Sequence, residues 1–344
     1  MNKIIKLLAK PVVGLLRRVR SRYRGYVNAK RLECDLKTTF AYDKNRFHAY
    51  SGAFESNTEE KLKGRIIRFY HIVEKGLTMP NRKLSFGRDV VRTLMELVNR
   101  FEERFGKEDG QVCHAASVIV SYWEMHKSIV KNSTEDGFWT NVEAFVATHS
   151  DVGPSHQPHV SRSAFYANRE CSFPQFAVAR HVVRHYSSMP VDIAKIRKAV
   201  AVAATAPTAC NRQHCRCYCV SDKELMTKIL AIQGGSRGFG HLADKLLIVT
   251  SSLEDTVDIR ERCDIYTNGG LFLMQLCNAL YYFEIAYCIL NWTRPPSDDY
   301  ALRKIIEIPP AETVISLLTI GEAPSEFDVA ASPRKPVDEI FKVL

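Results

Sequence analysis

A chain of 344 residues, 46% of them hydrophobic, can bury one large core or two ordinary ones. Its net charge of +10 sits in one place: residues 1–31 hold ten Lys and Arg and no acid, leaving 38 basic against 38 acidic side chains in the rest. A neutral body argues against nucleic-acid binding there and confines any polyanion contact to the tail.

In that tail Ile4, Ile5, Leu7, Leu8, Val12, Leu15, Leu16 and Val19 interleave with the cations. The pattern fits an interfacial helix resting on anionic lipid. Lys10 and Pro11 interrupt the apolar run, so it is too short to span a bilayer, and no small-residue cleavage site follows it. An organellar transit segment or a solvated basic arm are the competing readings. The expected location is cytoplasmic, with peripheral contact at the inner face of the membrane through residues 1–31.

A helical N-terminal extension is expected over 32–150. Leu62, Ile66, Ile67, Tyr70 and Val73 give helical spacing from Lys61 to Lys75, with Gly76 as the C-terminal cap. Val91, Leu94, Met95, Val98 and Phe101 do the same from Arg88 to Phe105, and a third amphipathic helix runs from Val112 to Val130. The first ends in His71-Ile72-Val73-Glu74-Lys75-Gly76-Leu77. His71 and Glu74 lie one turn apart but supply only two metal ligands, and Lys75 could reach a phosphate or carboxylate. Two readings stand for these three residues: a capped helix end bracing the next loop, or a direct part in a site. Residues 132–164 read as a polar connector, with His156 and His159 as exposed loop residues.

The second domain is expected over 165–344. Ile193, Ile196, Val200 and Ala204 mark a helix stopped by Pro207, and Cys215 to Val220 alternates as a strand. Between them Thr208, Asn211 and Gln213 offer uncharged hydroxyl and amide groups, either as an ordinary polar turn or as the edge of a heterocycle site. Cys215, Cys217 and Cys219 share a strand face and are taken as core thiols; they lack the paired Cys-x2-Cys spacing of zinc, and a metal cluster is the lesser alternative. Gly234 to Gly240 follows a helix (223–232) and precedes a strand (246–250), the wrong order for a phosphate loop. The apolar run Gly270 to Leu290 is expected to be one buried helix.

Five segments in order carry a resemblance. They are Phe173 to Tyr186 with Arg180 and Arg184, Pro190-Val191, Ala206-Pro207-Thr208-Ala209-Cys210-Asn211-Arg212-Gln213, Gly269-Gly270 opening an apolar helix, and Pro333-Arg334-Lys335-Pro336 near the C-terminus. Leu302 to Pro309 leading into Leu317 to Gly321 agrees as well. The chain resembles the FMN-dependent nitroreductase family over 173–344. The extension resembles one found on a subgroup of nitroreductase-like proteins, some associated with polysaccharide biosynthesis.

The resemblance implies an α+β fold, with a mixed, mainly antiparallel sheet between helices, and a homodimer with FMN at its interface. It implies that Arg180, Arg334 and Lys335 hold the phosphate, that Arg184 faces the pyrimidine edge, and that Thr208 and Asn211 approach from the partner. NAD(P)H would donate electrons through FMN to a small or carrier-linked acceptor. Val182 replaces the family's usual Ser, His214-Cys215 its Pro-Trp, and Ala209 a second small hydroxyl. These departures support the rival reading of a redox-inactive flavin-fold scaffold at the membrane surface.

Overall fold

The computed structural model describes residues 2–55, 57–130 and 137–344. It divides into two compact units, residues 1–55 with 256–262 and residues 56–255 with 263–344. In the first, helix α1 (Asn2–Tyr50) is clasped to the 256–262 segment by Arg262, whose guanidinium donates to both carboxylate oxygens of Asp43 at 2.6 and 2.9 Å. The hydrogen bond from Arg262 holds the Asp43 carboxyl below its ordinary value. The break expected at residue 31 is one of charge only, because α1 continues through Leu32 to Tyr50. The tail's side chains up to Val19, on which the membrane expectation rests, lie outside the described residues.

The second unit begins with a helical bundle. Helices α2 (Glu59–Leu77), α3 (Arg88–Phe105) and α4 (Gly110–Val130) appear where apolar spacing places them, but Gly76 is not the cap expected of it: α2 continues through it to Leu77 and is capped at Thr78. Thr58 caps α2 by accepting from the Lys61 N–H. A further helix, α5 (Phe138–Thr148), stands inside the stretch expected to be a connector. It buries Phe138, Trp139, Val142 and Phe145 against the bundle, so the apolar stripe overrode the turn-forming residues on either side. Leu62, Ile66, Leu94, Val98, Phe101 and Ile119 fill the core of the bundle.

The rest of this unit is α+β. A four-stranded antiparallel sheet runs in the order β2 (Cys215–Val220), β3 (Lys245–Ser252), β5 (Glu312–Gly321), β4 (Ala286–Asn291). β3 is buried along its whole length, as a central strand must be. Helices α8 (Ile193–Ala203), α9 (Lys223–Gln233) and α10 (Asp264–Tyr282) contribute to the same core through Ile196, Ile229, Leu276 and Leu280. Short α6 (Arg162–Tyr166), α7 (Phe173–Ala179), α11 (Pro296–Arg303) and α12 (Val337–Ile340) complete it, with a two-stranded ribbon of β1 (His159–Ser161) and β6 (Glu326–Asp328).

Three expectations need correction here. The apolar run 270–290 is not one helix: α10 ends at Tyr282, Glu284 takes a left-handed φ of 56°, and β4 begins at Ala286. Cys215, Cys217 and Cys219 are not deep core, because β2 is a sheet edge; Cys219 is exposed and the other two are half-buried. Burial still pushes the Cys217 thiol up to about 12, which makes it inert. His159 is exposed as expected but belongs to β1, its Nδ1 2.7 Å from Asp328 Oδ1. Among the described residues no group of three or more His, Cys, Asp or Glu could hold a metal ion, and no helix is long and apolar enough to cross a membrane.

Candidate functional site

The segment after α7 builds one wall of a cleft. It runs beside edge strand β4, where the Val183 N–H donates to the Tyr287 carbonyl at 2.8 Å. Tyr186 pins it from inside, donating its hydroxyl to the Val183 carbonyl at 3.0 Å while lying against Gly321, where a Cβ would come within 2.7 Å of the ring. With Val183 and Tyr186 committed to the core, Arg184 is held rigidly and is only 6% exposed. Its Nε is buried without a hydrogen-bond partner.

Two adjoining cavities, about 580 and 260 Å³, share His71, Arg184, Cys288 and Ile289 in their walls. The larger is also lined by Val182, Tyr70, Ser332, Arg334 and Lys335, the smaller by Lys75, Gln233, Gly235 and Asn291. No acidic side chain lines either. A cleft whose walls carry cations and no acidic side chain suits an anion.

The extension is structural to this cleft. Glu74 of α2 is fully buried, 2.7 Å from His114 Nε2 and 3.7 Å from His71 Nδ1. It also accepts from the Ser332 backbone N–H at 3.2 Å and the Ser332 hydroxyl at 3.4 Å. Burial would raise its carboxyl, but the hydrogen bonds from His114 and His71 win and hold it down at about 2. Ser332 has a φ of 41°, a strained left-handed conformation for a residue other than glycine, and the buried carboxylate stabilises it. Glu74 thereby fixes the arm that carries Arg334 and Lys335.

The cations differ in how free they are. Arg334 is exposed and, among the described residues, donates only to the Ser332 carbonyl, at 2.5 Å, so most of its fork remains available. Lys335 lies 3.3 Å from Glu60 and 3.4 Å from Glu339, which neutralise it. Lys75 donates to the Gly235 carbonyl at 3.3 Å; burial, then the charge of Arg184, lower its pKa. Of the remaining expected site residues, Arg180 lines neither cavity: its Nη1 donates to Tyr287 Oη at 2.6 Å and its Nε is buried and unpartnered. Arg180 and Arg334 both depress the neighbouring His181 after burial does, which puts them in one electrostatic neighbourhood. Thr208 and Asn211 line neither cavity; Thr208 Oγ1 accepts from the Gln213 N–H at 3.0 Å. Left-handed φ values of 52°, 55° and 54° at Cys210, Asn211 and Gln213 mark a tightly coiled turn there. His214, in place of the family's Pro, is buried, its Nε2 accepting from Asn268 Nδ2 at 2.9 Å.

The α+β unit carries a basic cleft at the edge of its sheet. The model of the Nitroreductase family matches residues 177–237, which include Arg180, Arg184, Thr208 and Asn211, so the resemblance seen in the motifs holds for that segment. Solved structures similar to this chain include NfrA2 of B. megaterium, with 16% identity, a TM-score of 0.42, and coverage of 49% of this chain and 72% of that one. An FMN-dependent nitroreductase of Clostridium difficile R20291 has 17% identity and a TM-score of 0.39, covering 47% of this chain and 92% of its own. No curated protein matches the chain.

Proposed function

We propose that the chain is an FMN-dependent oxidoreductase that takes reducing equivalents from NAD(P)H and delivers them to an acceptor. The observation that carries this is the acid-free cleft lined by both Arg184 and Arg334, with Arg184 inside the segment 177–237 that matches the Nitroreductase family model. The cofactor fits these residues: in the cleft wall the buried Arg184 Nε has no hydrogen-bond partner among the described residues.

Bound FMN would supply the hydride chemistry, so no protein nucleophile is required. Arg334 offers paired N–H donors to the phosphate, and Lys335 adds a charge already shared with Glu60 and Glu339. Arg180, whose charge like that of Arg334 reaches His181, would add to the positive field. Arg184 would present its charge toward the pyrimidine edge. Val182, which lines the same cavity, would offer the phosphate no hydroxyl and so would weaken its binding. Thr208 and Asn211, away from this cleft, suit the proposal that a second copy completes the site in a homodimer.

The acceptor is proposed to be a small or carrier-linked molecule, with a tie to polysaccharide assembly resting on the resemblance of the His71–Leu77 motif alone. Contact of residues 1–31 with anionic membrane is likewise a proposal, supported by their ten cations.

The test is anaerobic. Protein loaded with FMN is expected to bleach on addition of NADH or NADPH and to regain its colour with a quinone or nitroaromatic. Bleaching by dithionite with neither nicotinamide effective would favour the redox-inactive scaffold, for which Val182 in the cleft wall and His214 are the support.

A further inference from the structure

Two buried or half-buried cations, Lys75 and Arg184, line the smaller cavity together with Gln233, Gly235 and Asn291 and no acid. Among the described residues neither meets an acid: Lys75 donates to one carbonyl at 3.3 Å, and Arg184 hydrogen-bonds the neutral Cys288 thiol while its Nε has no partner. Placing two like charges side by side away from water is costly unless a negative group offsets both. Elsewhere in this unit a buried lysine is paired, as Lys63 is with Asp109 at 2.7 Å. Lys75 is therefore a prepared half of an anion site, and it comes from the helical extension, outside the segment matched to the family.

The proposed phosphate residues lie at the other end of the continuous cleft, where Arg334 and Lys335 line the larger cavity. FMN carries permanent negative charge at its phosphate, and a second negative charge develops at the pyrimidine edge only on reduction. A hydride brings two electrons and one proton from the reduced nicotinamide, which leaves oxidised; the flavin is then one unit more negative until it takes up a second proton. Cations at that edge favour the reduced form over the oxidised one.

We propose that Lys75, beside Arg184, binds the pyrimidine edge of FMN and raises its reduction potential. Lys75 thus makes the extension part of the flavin site. This rests on the FMN reading above, and the experiment separates the two.

Full-length wild type, Lys75→Gln, Lys75→Arg and the exposed control Lys198→Gln are titrated with oxidised FMN by fluorescence, and the midpoint potential of the bound flavin is measured by dye equilibration. Lys75→Gln is expected to bind oxidised FMN within about threefold of wild type while its preference for reduced over oxidised flavin falls about tenfold, a drop of about 30 mV for a two-electron couple. Lys75→Arg keeps the charge and should restore most of the potential; Lys198→Gln should leave it unchanged. A wild-type potential in Lys75→Gln would overturn the inference while the FMN reading stands. Equal loss of both flavin states would overturn it too, making Lys75 a residue of general binding or folding. Failure of wild type to bind FMN at all would remove the reading beneath it. Circular dichroism and melting of each variant identify misfolding, and if Lys75→Gln misfolds, Lys75→Met takes its place.

Discussion

At the scale of single residues, the cleft is governed by which cations are already neutralised. Arg334 keeps its fork open, whereas Lys335 is held between two glutamates. Arg334→Ala should therefore weaken FMN at least tenfold and Lys335→Ala less than threefold, since a two-pronged charged contact contributes roughly 1.5–3 kcal/mol and a shared surface charge under about 1. Flavin fluorescence titration of the two variants checks the order; equal small effects would place the phosphate elsewhere. Motif order alone singled out Arg184, Arg334 and Lys335, and the three line one cavity. Lys75 and Glu74 were legible only as candidates. Their adjacency to Arg184 and Ser332 spans more than a hundred residues of chain, and no local pattern encodes it.

At the scale of elements, α3 falls on Arg88–Phe105 as its apolar period dictates, and β2 on Cys215–Val220 as its alternation does. The failures have physical causes. The turn after Tyr282 uses Glu284 at positive φ without glycine or proline, so an uninterrupted apolar run concealed a helix followed by a strand. α5 was signalled by Phe138, Val142 and Phe145 at helical spacing, but the polar residues flanking it drew the reading toward a loop.

The junction of α2 with the loop after it depends on one close approach. A Cβ on Gly76 would stand 2.0 Å from the Phe86 ring, which is itself held between the bundle's Tyr122 and Gly76 at a Tyr122 centroid distance of 5.2 Å. Phe86 also accepts, through its carbonyl, the Tyr122 hydroxyl at 2.9 Å, so it has little room to retreat. Gly76→Ala should cost about 1–3 kcal/mol by overpacking, despite alanine's better helix propensity. Thermal or urea unfolding reads the difference; a variant as stable as wild type would mean that the loop yields freely.

For the whole molecule, the helical bundle and the α+β part form one compact unit joined at the cleft: α2 supplies His71 and Lys75, the sheet edge supplies Arg184, and Glu74 anchors the arm bearing Arg334. The extension is thereby part of the site's architecture, which explains why its polar helix end carries a carboxylate that is completely buried. The fold class was legible from the order of motifs. The merging of extension and second domain into one unit was not, because the charge and turn patterns that suggest boundaries near 31 and 150–165 do not record packing.

The most direct test of the account is equilibrium titration of the purified full-length chain with FMN, following flavin fluorescence and melting temperature together. Saturable binding with a raised melting temperature is expected, with loss of both in the Arg184→Ala, Arg334→Ala double variant. Saturating FMN that alters neither signal in the wild-type chain would contradict it.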